Sequence, residues 1–218
     1  MEVKRTIPFS PPDITQEEID EVVDALRSGW ITTGPKTKLF EKNLATFCNT
    51  SIVCCLNSAT TALELALILM GIGPGDEVIT SAYTYTASCS PIIHVGATPV
   101  LVDVSPDSFH LDYVAVGRAI TSKTKAIIPV DLGGVMCDYD TLFQVLEEKK
   151  QLYTPSSPVQ DLFNRVMVLA DSAHAIGATY KGKKAGEVAD FTAFSLVVLK
   201  NWTSDSYTGI RSEGSKAA

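Results

Sequence analysis

The segment VMVLADSAH, residues 166–174, decides how the rest of the sequence is interpreted. Its five consecutive apolar residues, Val166 to Ala170, are typical of a strand that is buried on both faces of a sheet. The strand is followed at once by Asp171 and, three residues later, by His174. Ligands of open α/β sheets bind at the carboxyl ends of the strands, so these two side chains are candidates for a binding site.

Outward from this strand, apolar runs alternate with amphipathic segments along most of the chain. Thr15–Glu18 has the capping-box pattern and predicts a helix that ends before Gly29. Nearly all-apolar strands separated by helices predict an α/β fold in which helices cover both faces of a mainly parallel sheet. The predicted strands cover residues 52–56, 78–80, 99–104, 125–130 and 166–170, the further helices cover residues 39–47, 63–69, 87–95, 113–120 and 140–150, and residues 151–160 are predicted to form a loop.

The turn after the first predicted strand, NSATT at residues 57–61, favours an anion. Its small residues place free backbone N–H groups at the start of a helix, where the partial positive charge attracts a phosphate. The turn has neither GxGxxG nor GxxxxGK[ST], so a single phosphate ester on Ala59, Thr60 and Thr61 is expected rather than a dinucleotide or a triphosphate. The alternative is an ordinary helix with a Ser or Thr cap.

Two ionisable groups at other strand ends suggest what else such a ligand carries. Asp171 lies where a buried strand opens into a crevice and needs a cationic or N–H partner, such as a protonated pyridine nitrogen. Lys200 follows the apolar stretch 191–199, where a lysine can lose its proton and form a Schiff base. The alternatives are a helix cap for Asp171, a core residue for His174 and a strand-end lysine that reaches solvent for Lys200. Tyr83 and Tyr85 are expected to pack rather than to bind a cofactor.

The composition is that of a globular protein and excludes several classes of function. Of 218 residues, 45% are hydrophobic and 20% are charged, which excludes a disordered chain. Eighteen Lys and Arg against 25 Asp and Glu give a net charge of −7, so binding to a nucleic-acid backbone is not expected. The five cysteines match no zinc-site spacing, and no apolar run is long enough to cross a membrane. We therefore expect a cytoplasmic protein with no metal site and no membrane partner.

Several motifs, in matching order and spacing over residues 7–203, resemble those of one family. They are NSATTAL at 57–63, GPGDEV at 73–78, YTYTA at 83–87, GATPV at 96–100, DSAHA at 171–175, and FS at 194–195 followed by KN at 200–201. Together they resemble the DegT/DnrJ/EryC1/StrS sugar aminotransferases. The resemblance implies the fold-type-I architecture of pyridoxal-phosphate enzymes, in which a three-layer α/β/α large domain with a mainly parallel sheet precedes a smaller C-terminal domain.

The resemblance assigns a role to each candidate residue around pyridoxal 5′-phosphate, the implied cofactor. Lys200 is implied to be the catalytic lysine, which forms the Schiff base and moves the proton. Asp171 is implied to hold the pyridine nitrogen, His174 to lie near the 3-hydroxyl group, and Tyr85 to stack on the ring. The residues implied to bind the phosphate are Ala59, Thr60, Thr61 and Ser195.

The resemblance also implies the reaction and the partners. An amino group would move from an amino acid, usually glutamate in this family, to a keto group of a nucleotide-linked sugar. Such reactions serve amino-sugar and cell-surface polysaccharide biosynthesis, and the enzyme is expected to be a homodimer. A lyase or dehydratase on the same scaffold is a weaker alternative, because such relatives can lack the lysine that is present here as Lys200.

The sequence departs from the family pattern towards its C-terminus. Val197 stands where the family has a histidine near the cofactor phosphate. Residues 1–203 are predicted to form a PLP-binding large domain that is incomplete, truncated at the C-terminus, and residues 204–218 an atypical tail. The second hypothesis is therefore a truncated, non-catalytic remnant of such an enzyme.

Overall fold

A computed structural model describes residues 13–196, which fall into two units, one with the residues up to Cys55 together with Leu196 and the other Leu56–Ser195. The first unit contains two helices, α1 (Gln16–Arg27) and α2 (Pro35–Phe47). The predicted capping box is present, because the Glu18 carboxylate accepts a hydrogen bond from the Thr15 backbone N–H at 2.6 Å. Gly29, with φ of 72°, follows the end of α1 as predicted.

The strand predicted over residues 52–56 is wrong. The segment has no regular secondary structure and pairs with no strand in the described part of the chain. Ile52 is 83% exposed, and the backbone N–H of Cys55 donates to the Glu41 carboxylate of α2 at 2.9 Å. An apolar run becomes a strand only where a neighbouring backbone takes up its hydrogen bonds, and here a side chain accepts one of them.

A parallel sheet forms the centre of the second unit, Leu56–Ser195. The strands of this unit are β1 (Glu77–Ser81), β2 (Thr98–Val102), β3 (Thr124–Ile128), β4 (Met167–Asp171), β5 (Thr179–Tyr180), β6 (Lys183–Lys184) and β7 (Phe191–Ala193). The sheet has the order β2-β1-β3-β4-β7 with every neighbouring pair parallel, while β5 and β6 form a separate antiparallel pair. Strands β3 and β4 are buried along their whole length, as the apolar run in β4 predicts, and in β3 the polar residues Thr124 and Lys125 are buried as well.

Helices cover both faces of this sheet. The helices of the unit are α3 (Ala59–Leu69), α4 (Ser90–His94), α5 (Tyr113–Ala119), α6 (Tyr139–Glu148) and α7 (Pro158–Phe163). Residues of α3 and α4 share one hydrophobic core with the sheet, and residues of α5 and α6 share the other. The predicted three-layer α/β/α architecture is therefore confirmed. None of the helices in residues 13–196 has the length and apolar character needed to cross a membrane.

Alternation along β4 decides the direction in which the Asp171 side chain points. Met167 and Leu169 belong to the core formed with α3 and α4, whereas Val168 and Ala170 belong to the core formed with α5 and α6. Successive side chains of a strand point to opposite faces. Asp171 therefore continues the row that faces α3 and α4.

The helix predicted over residues 87–95 is interrupted. Thr86–Ser88 form one turn of 3₁₀ helix, and α4 begins at Ser90. Pro91 lacks the backbone N–H that would join the two segments into one α-helix. Ser88 therefore ends a turn, and its side chain is buried at the edge of the sheet.

The loop predicted over residues 151–160 contains the start of α7. Ser157 caps this helix by accepting a hydrogen bond from the Gln160 backbone N–H at 3.4 Å, and Pro158 occupies the first turn. The buried Gln160 amide donates to the carbonyl of Met70, at the end of α3, at 3.1 Å. A Ser-Pro pair is a typical helix start, and the loop prediction overlooked it.

Candidate functional site

Asp171, the last residue of β4, is 6% exposed at the carboxyl edge of the sheet. One carboxylate oxygen accepts a hydrogen bond from the Ser88 hydroxyl at 2.7 Å, and the other accepts one from the Ala173 backbone N–H at 3.2 Å. Both donors are neutral, and no ion pair within residues 13–196 involves Asp171. A buried carboxylate is costly without a positive partner, so the site is suited to a cationic ligand.

The hydrogen bond between Ser88 and Asp171 connects residues from the ends of two strands that are not neighbours in the sheet. Ser88 lies in the turn that follows β1, and β3 lies between β1 and β4. The strand order reverses between β1 and β3, which is where open α/β sheets bind ligands. Ser88 could not be predicted as a site residue from the sequence, since nothing local distinguishes a serine whose partner is 83 positions away.

A second buried carboxylate, that of Asp131, lies near the end of the neighbouring strand β3. It accepts hydrogen bonds from the Ser172 hydroxyl at 2.6 Å, the Tyr139 hydroxyl at 2.9 Å and the Cys137 backbone N–H at 2.9 Å. Burial raises the pKa of Asp131 above its ordinary value, against the opposing effect of the Ser172 hydrogen bond. Asp131 therefore fixes Ser172, the residue next to Asp171. The position of Asp131 near the end of a strand does not predict this role.

His174 lies three residues beyond Asp171 and is half-buried. Its Nδ1 atom accepts a hydrogen bond from the Gly133 backbone N–H at 3.3 Å. A ring nitrogen that accepts carries no proton, so the proton of the neutral ring is on Nε2. His174 can therefore donate from Nε2 to an oxygen of a ligand.

The NSATT turn is the start of a helix capped by Ser58, which agrees with the alternative interpretation of this turn as an ordinary capped helix. The Ser58 side chain accepts a hydrogen bond from the Thr61 backbone N–H at 3.1 Å, and the two hydroxyl oxygens are 3.0 Å apart. The backbone N–H groups of Ala59 and Thr60 have no acceptor within residues 13–196 and remain open to an anion. The cap and an anion site are compatible, because the cap uses only one of the open donors.

Three further predicted site residues differ in their surroundings. Ser195, two residues beyond β7, is 6% exposed, and its hydroxyl forms no hydrogen bond within the described residues. Tyr85 is 73% exposed, contrary to the expectation that it packs, while Tyr83 stacks on Phe109 with ring centroids 5.3 Å apart. Lys200 lies outside the described residues.

The model of the DegT/DnrJ/EryC1/StrS aminotransferase family matches residues 12–205. The chain belongs to this family. DegT/DnrJ/EryC1/StrS aminotransferases use pyridoxal phosphate, and the solved structures similar to this chain include both PLP and PMP forms. The motif resemblance and the three-layer fold predicted from the sequence are thereby confirmed.

Individual members of the family show how much of the chain is matched. Spore coat polysaccharide biosynthesis protein SpsC of Bacillus subtilis (strain 168) is 42% identical over 195 residues, which are 89% of this chain and 46% of SpsC. UDP-4-amino-4-deoxy-L-arabinose–oxoglutarate aminotransferase of Shewanella sediminis (strain HAW-EB3) is 38% identical over 90% of this chain and 47% of its own length. The chain spans about half the length of the curated relatives it matches.

Solved structures of the family superpose well on this chain. Spr1654 from Streptococcus pneumoniae, which is assigned as a sugar aminotransferase, gives a TM-score of 0.89 in its PMP form at 61% identity. The match covers 91% of this chain and 50% of that chain. The PLP form gives a TM-score of 0.89 at 60% identity.

Proposed function

We propose that this chain is the cofactor-binding part of an aminotransferase that moves an amino group from an amino acid to a keto group of a nucleotide-linked sugar. The observation that carries the proposal is the buried Asp171 carboxylate, which meets only neutral donors within residues 13–196. A protonated pyridine nitrogen supplies the missing positive charge. The residues at this edge of the sheet therefore fit the cofactor of the family.

Each site residue has a proposed task when pyridoxal phosphate is bound. The cofactor supplies an electron-withdrawing ring, and Asp171 keeps it so by holding the proton on the pyridine nitrogen. His174, whose Nδ1 accepts from Gly133, would donate from Nε2 to the ring hydroxyl oxygen, and the exposed Tyr85 would cover one face of the ring. Lys200 would hold the cofactor covalently and move the proton of the reaction.

The phosphate is proposed to bind at the start of α3. The open backbone N–H groups of Ala59 and Thr60 would donate to it, and the helix terminus favours its negative charge. Thr61 would contribute its hydroxyl, because its backbone N–H is occupied by Ser58. The buried Ser195 hydroxyl, which has no partner within residues 13–196, would complete the set.

The names of relatives support the proposed substrates. The Shewanella sediminis relative is named for a UDP-linked amino sugar and for oxoglutarate, the keto acid that remains when glutamate gives up its amino group in a transamination. Glutamate is therefore our proposed amino donor. SpsC is named for the biosynthesis of spore coat polysaccharide, and polysaccharide biosynthesis is the process that we propose for this chain.

We also propose a cytoplasmic homodimer in which residues 1–203 form the large domain and residues 204–218 a tail outside the family pattern. The end of the family match at residue 205 supports this boundary. The five cysteines are all free thiols, which supports a reducing compartment. The net charge of −7 gives no support for a nucleic-acid partner.

The test is the absorbance spectrum of the purified chain after addition of pyridoxal phosphate. A long-wavelength band is expected that is abolished in Lys200→Ala and retained in Lys123→Ala, whose lysine is exposed. Borohydride reduction followed by peptide mass analysis is expected to place the covalent adduct on Lys200. A folded chain with no band, or with adducts spread over exposed lysines, would favour the non-catalytic remnant.

A further inference from the structure

We propose that Ser88 is a positioning residue for the cofactor, whose hydroxyl holds the Asp171 carboxylate in the orientation that receives the pyridine nitrogen. The inference rests on the proposed function, which makes Asp171 the partner of that nitrogen. Ser88 itself does not contact the cofactor in this proposal. It acts through Asp171 alone.

The two hydrogen bonds of the Asp171 side chain differ in what they restrain. The Ala173 N–H belongs to the backbone two residues further on, so its 3.2 Å bond moves together with Asp171. The Ser88 hydroxyl, at 2.7 Å, comes from the turn after β1 and is 1% exposed. Within residues 13–196, Ser88 therefore provides the restraint that ties this carboxylate to a different element of the sheet.

The direction of the hydrogen bonds around Ser88 follows from a count of protons. An ionised carboxylate has no proton, so the single hydroxyl proton of Ser88 is donated to Asp171. The Ser88 oxygen lies 2.7 Å from the Thr84 hydroxyl, and this second bond must then be donated by Thr84. Hydrogen bonds in such a chain polarise one another, which strengthens the donation from Ser88.

This arrangement leaves room for the ligand. Within residues 13–196, each Asp171 oxygen accepts one hydrogen bond from the protein, and a carboxylate oxygen can accept a second. Loss of the Ser88 hydroxyl removes the restraint on the side chain. The contact with the pyridine nitrogen should then weaken more than the contacts with the phosphate or the ring faces.

The experiment compares two ligands that differ only at the ring nitrogen. Pyridoxamine phosphate has no aldehyde and cannot bond to a lysine, and its 1-deaza analogue carries a carbon in place of the pyridine nitrogen. The full chain is titrated with each ligand. The Kd of the 1-deaza analogue divided by the Kd of pyridoxamine phosphate measures recognition of the nitrogen. We expect the unsubstituted chain to prefer pyridoxamine phosphate by on the order of tenfold or more, as for a hydrogen bond to a charged group.

The variants separate positioning from general damage to the site. Ser88→Ala is expected to reduce the ratio by about fivefold, and Ser88→Thr, which keeps a hydroxyl, to preserve it. Thr84→Val, which removes only the bond donated to Ser88, is expected to give an intermediate ratio. Ser90→Ala, a matched serine in the same segment, is expected to leave the ratio unchanged.

The outcomes distinguish this inference from the proposed function. If the unsubstituted chain binds neither ligand or binds both equally, the proposed role of Asp171 and this inference are both wrong. If it prefers pyridoxamine phosphate and Ser88→Ala keeps the same ratio, only the inference is wrong. A merely structural role for Ser88 would weaken both ligands equally, and circular dichroism melting curves identify variants that do not fold. If Ser88→Ala fails to fold, an unchanged ratio in Thr84→Val contradicts the inference.

Discussion

Two hydroxyl–carboxylate hydrogen bonds, formed by consecutive residues, hold the end of β4. The Asp171 carboxylate accepts from Ser88 on the side of α3 and α4, and the next residue, Ser172, donates to Asp131 near α6. The strand end is therefore fixed from both faces of the sheet. Three of these four side chains are fully or almost fully buried, and Asp171 is 6% exposed, so each bond is shielded from water.

At the scale of single residues, the buried hydrogen bonds of the Asp131 side chain predict its contribution to the free energy of unfolding. Asp131→Ala is expected to lower the free energy of unfolding by about 3 kcal/mol, because three buried donors lose their acceptor. Urea denaturation measures the change, and Asp107→Ala, which removes an exposed carboxylate, serves as the control. A loss no larger than that of the control would show that water replaces the carboxylate.

The loss of unfolding free energy in Asp131→Ala is also expected to depend on pH. The pKa of Asp131 in the folded chain is raised by burial, so its ionisation costs stability as the pH rises from about 4 through the raised pKa. The variant lacks this cost. The stability lost in Asp131→Ala is therefore expected to be larger near pH 4 than at pH 7, and an opposite trend would show that hydrogen bonding outweighs burial.

The sequence predicts residues of this site where a chemical group follows a strand, but not where a partner is distant. Asp171 and His174 are visible because they come directly after the apolar run 166–170. Ser88 and Asp131 acquire their roles from partners 83 and 41 positions away, which no local pattern records. Tertiary pairing, not residue type, makes them part of the site.

At the scale of helices and strands, prediction succeeded where the local pattern of a segment agrees with the partners that the fold provides. The helix after Thr15 and the buried strands β3 and β4 follow directly from capping and apolar patterns. The segment 52–56 has the same apolar character as those strands but lacks a neighbouring strand among residues 13–196. An apolar run is therefore compatible with a strand but does not establish one, because pairing depends on other parts of the chain, and in this segment Ile52 is 83% exposed.

The cap of α6 gives a prediction for a single element. Asp138 accepts hydrogen bonds from the Thr141 hydroxyl, the Tyr180 hydroxyl and the Thr141 backbone N–H, which lower the pKa of Asp138 to about 2. Asp138→Ala is expected to cost about 1 kcal/mol of unfolding free energy at pH 7, as for other N-caps. Urea denaturation at a series of pH values measures it.

The sign of the pH effect follows from the lowered pKa. The contribution of Asp138 is complete above the ordinary pKa of 3.8 and is lost as the pH falls through about 2. The difference between the unsubstituted chain and Asp138→Ala should therefore shrink over that interval. Asp138→Asn, which keeps a capping oxygen but does not titrate, is expected to lose less at pH 7.

At the scale of the whole second unit, the attachment of β7 places Ser195 relative to the other residues of the proposed cofactor site. Arg165 binds Asp190 through two hydrogen bonds of 2.7 Å, and Asp190 also accepts from the Val168 backbone N–H of β4 at 2.8 Å. Asp190 comes immediately before β7, which leads to Ser195. This ion pair therefore aligns β7 with β4.

Removal of the ion pair between Arg165 and Asp190 is expected to loosen the attachment of β7 to β4. Asp190→Ala is expected to lower the free energy of unfolding by about 3 kcal/mol, because it leaves the partly buried Arg165 without its partner. Arg165→Lys, which cannot form both bonds at once, should have an intermediate effect. Urea denaturation and hydrogen exchange of the β7 amides measure the two changes, and unchanged exchange in Asp190→Ala would contradict this role.

The hydrogen bond between Ser88 and Asp171 joins segments that follow β1 and end β4, two strands that are separated in the sheet by β3. This has a consequence for the order of folding. The two residues are 83 positions apart, so they meet only after β1, β3 and β4 have aligned side by side. Contacts between such distant positions are slow to form, because a long stretch of chain must be ordered first. In the proposed site, binding of the cofactor at Asp171 would therefore come late in folding, and the absorbance of the bound cofactor would report how much of a newly made chain has completed its sheet.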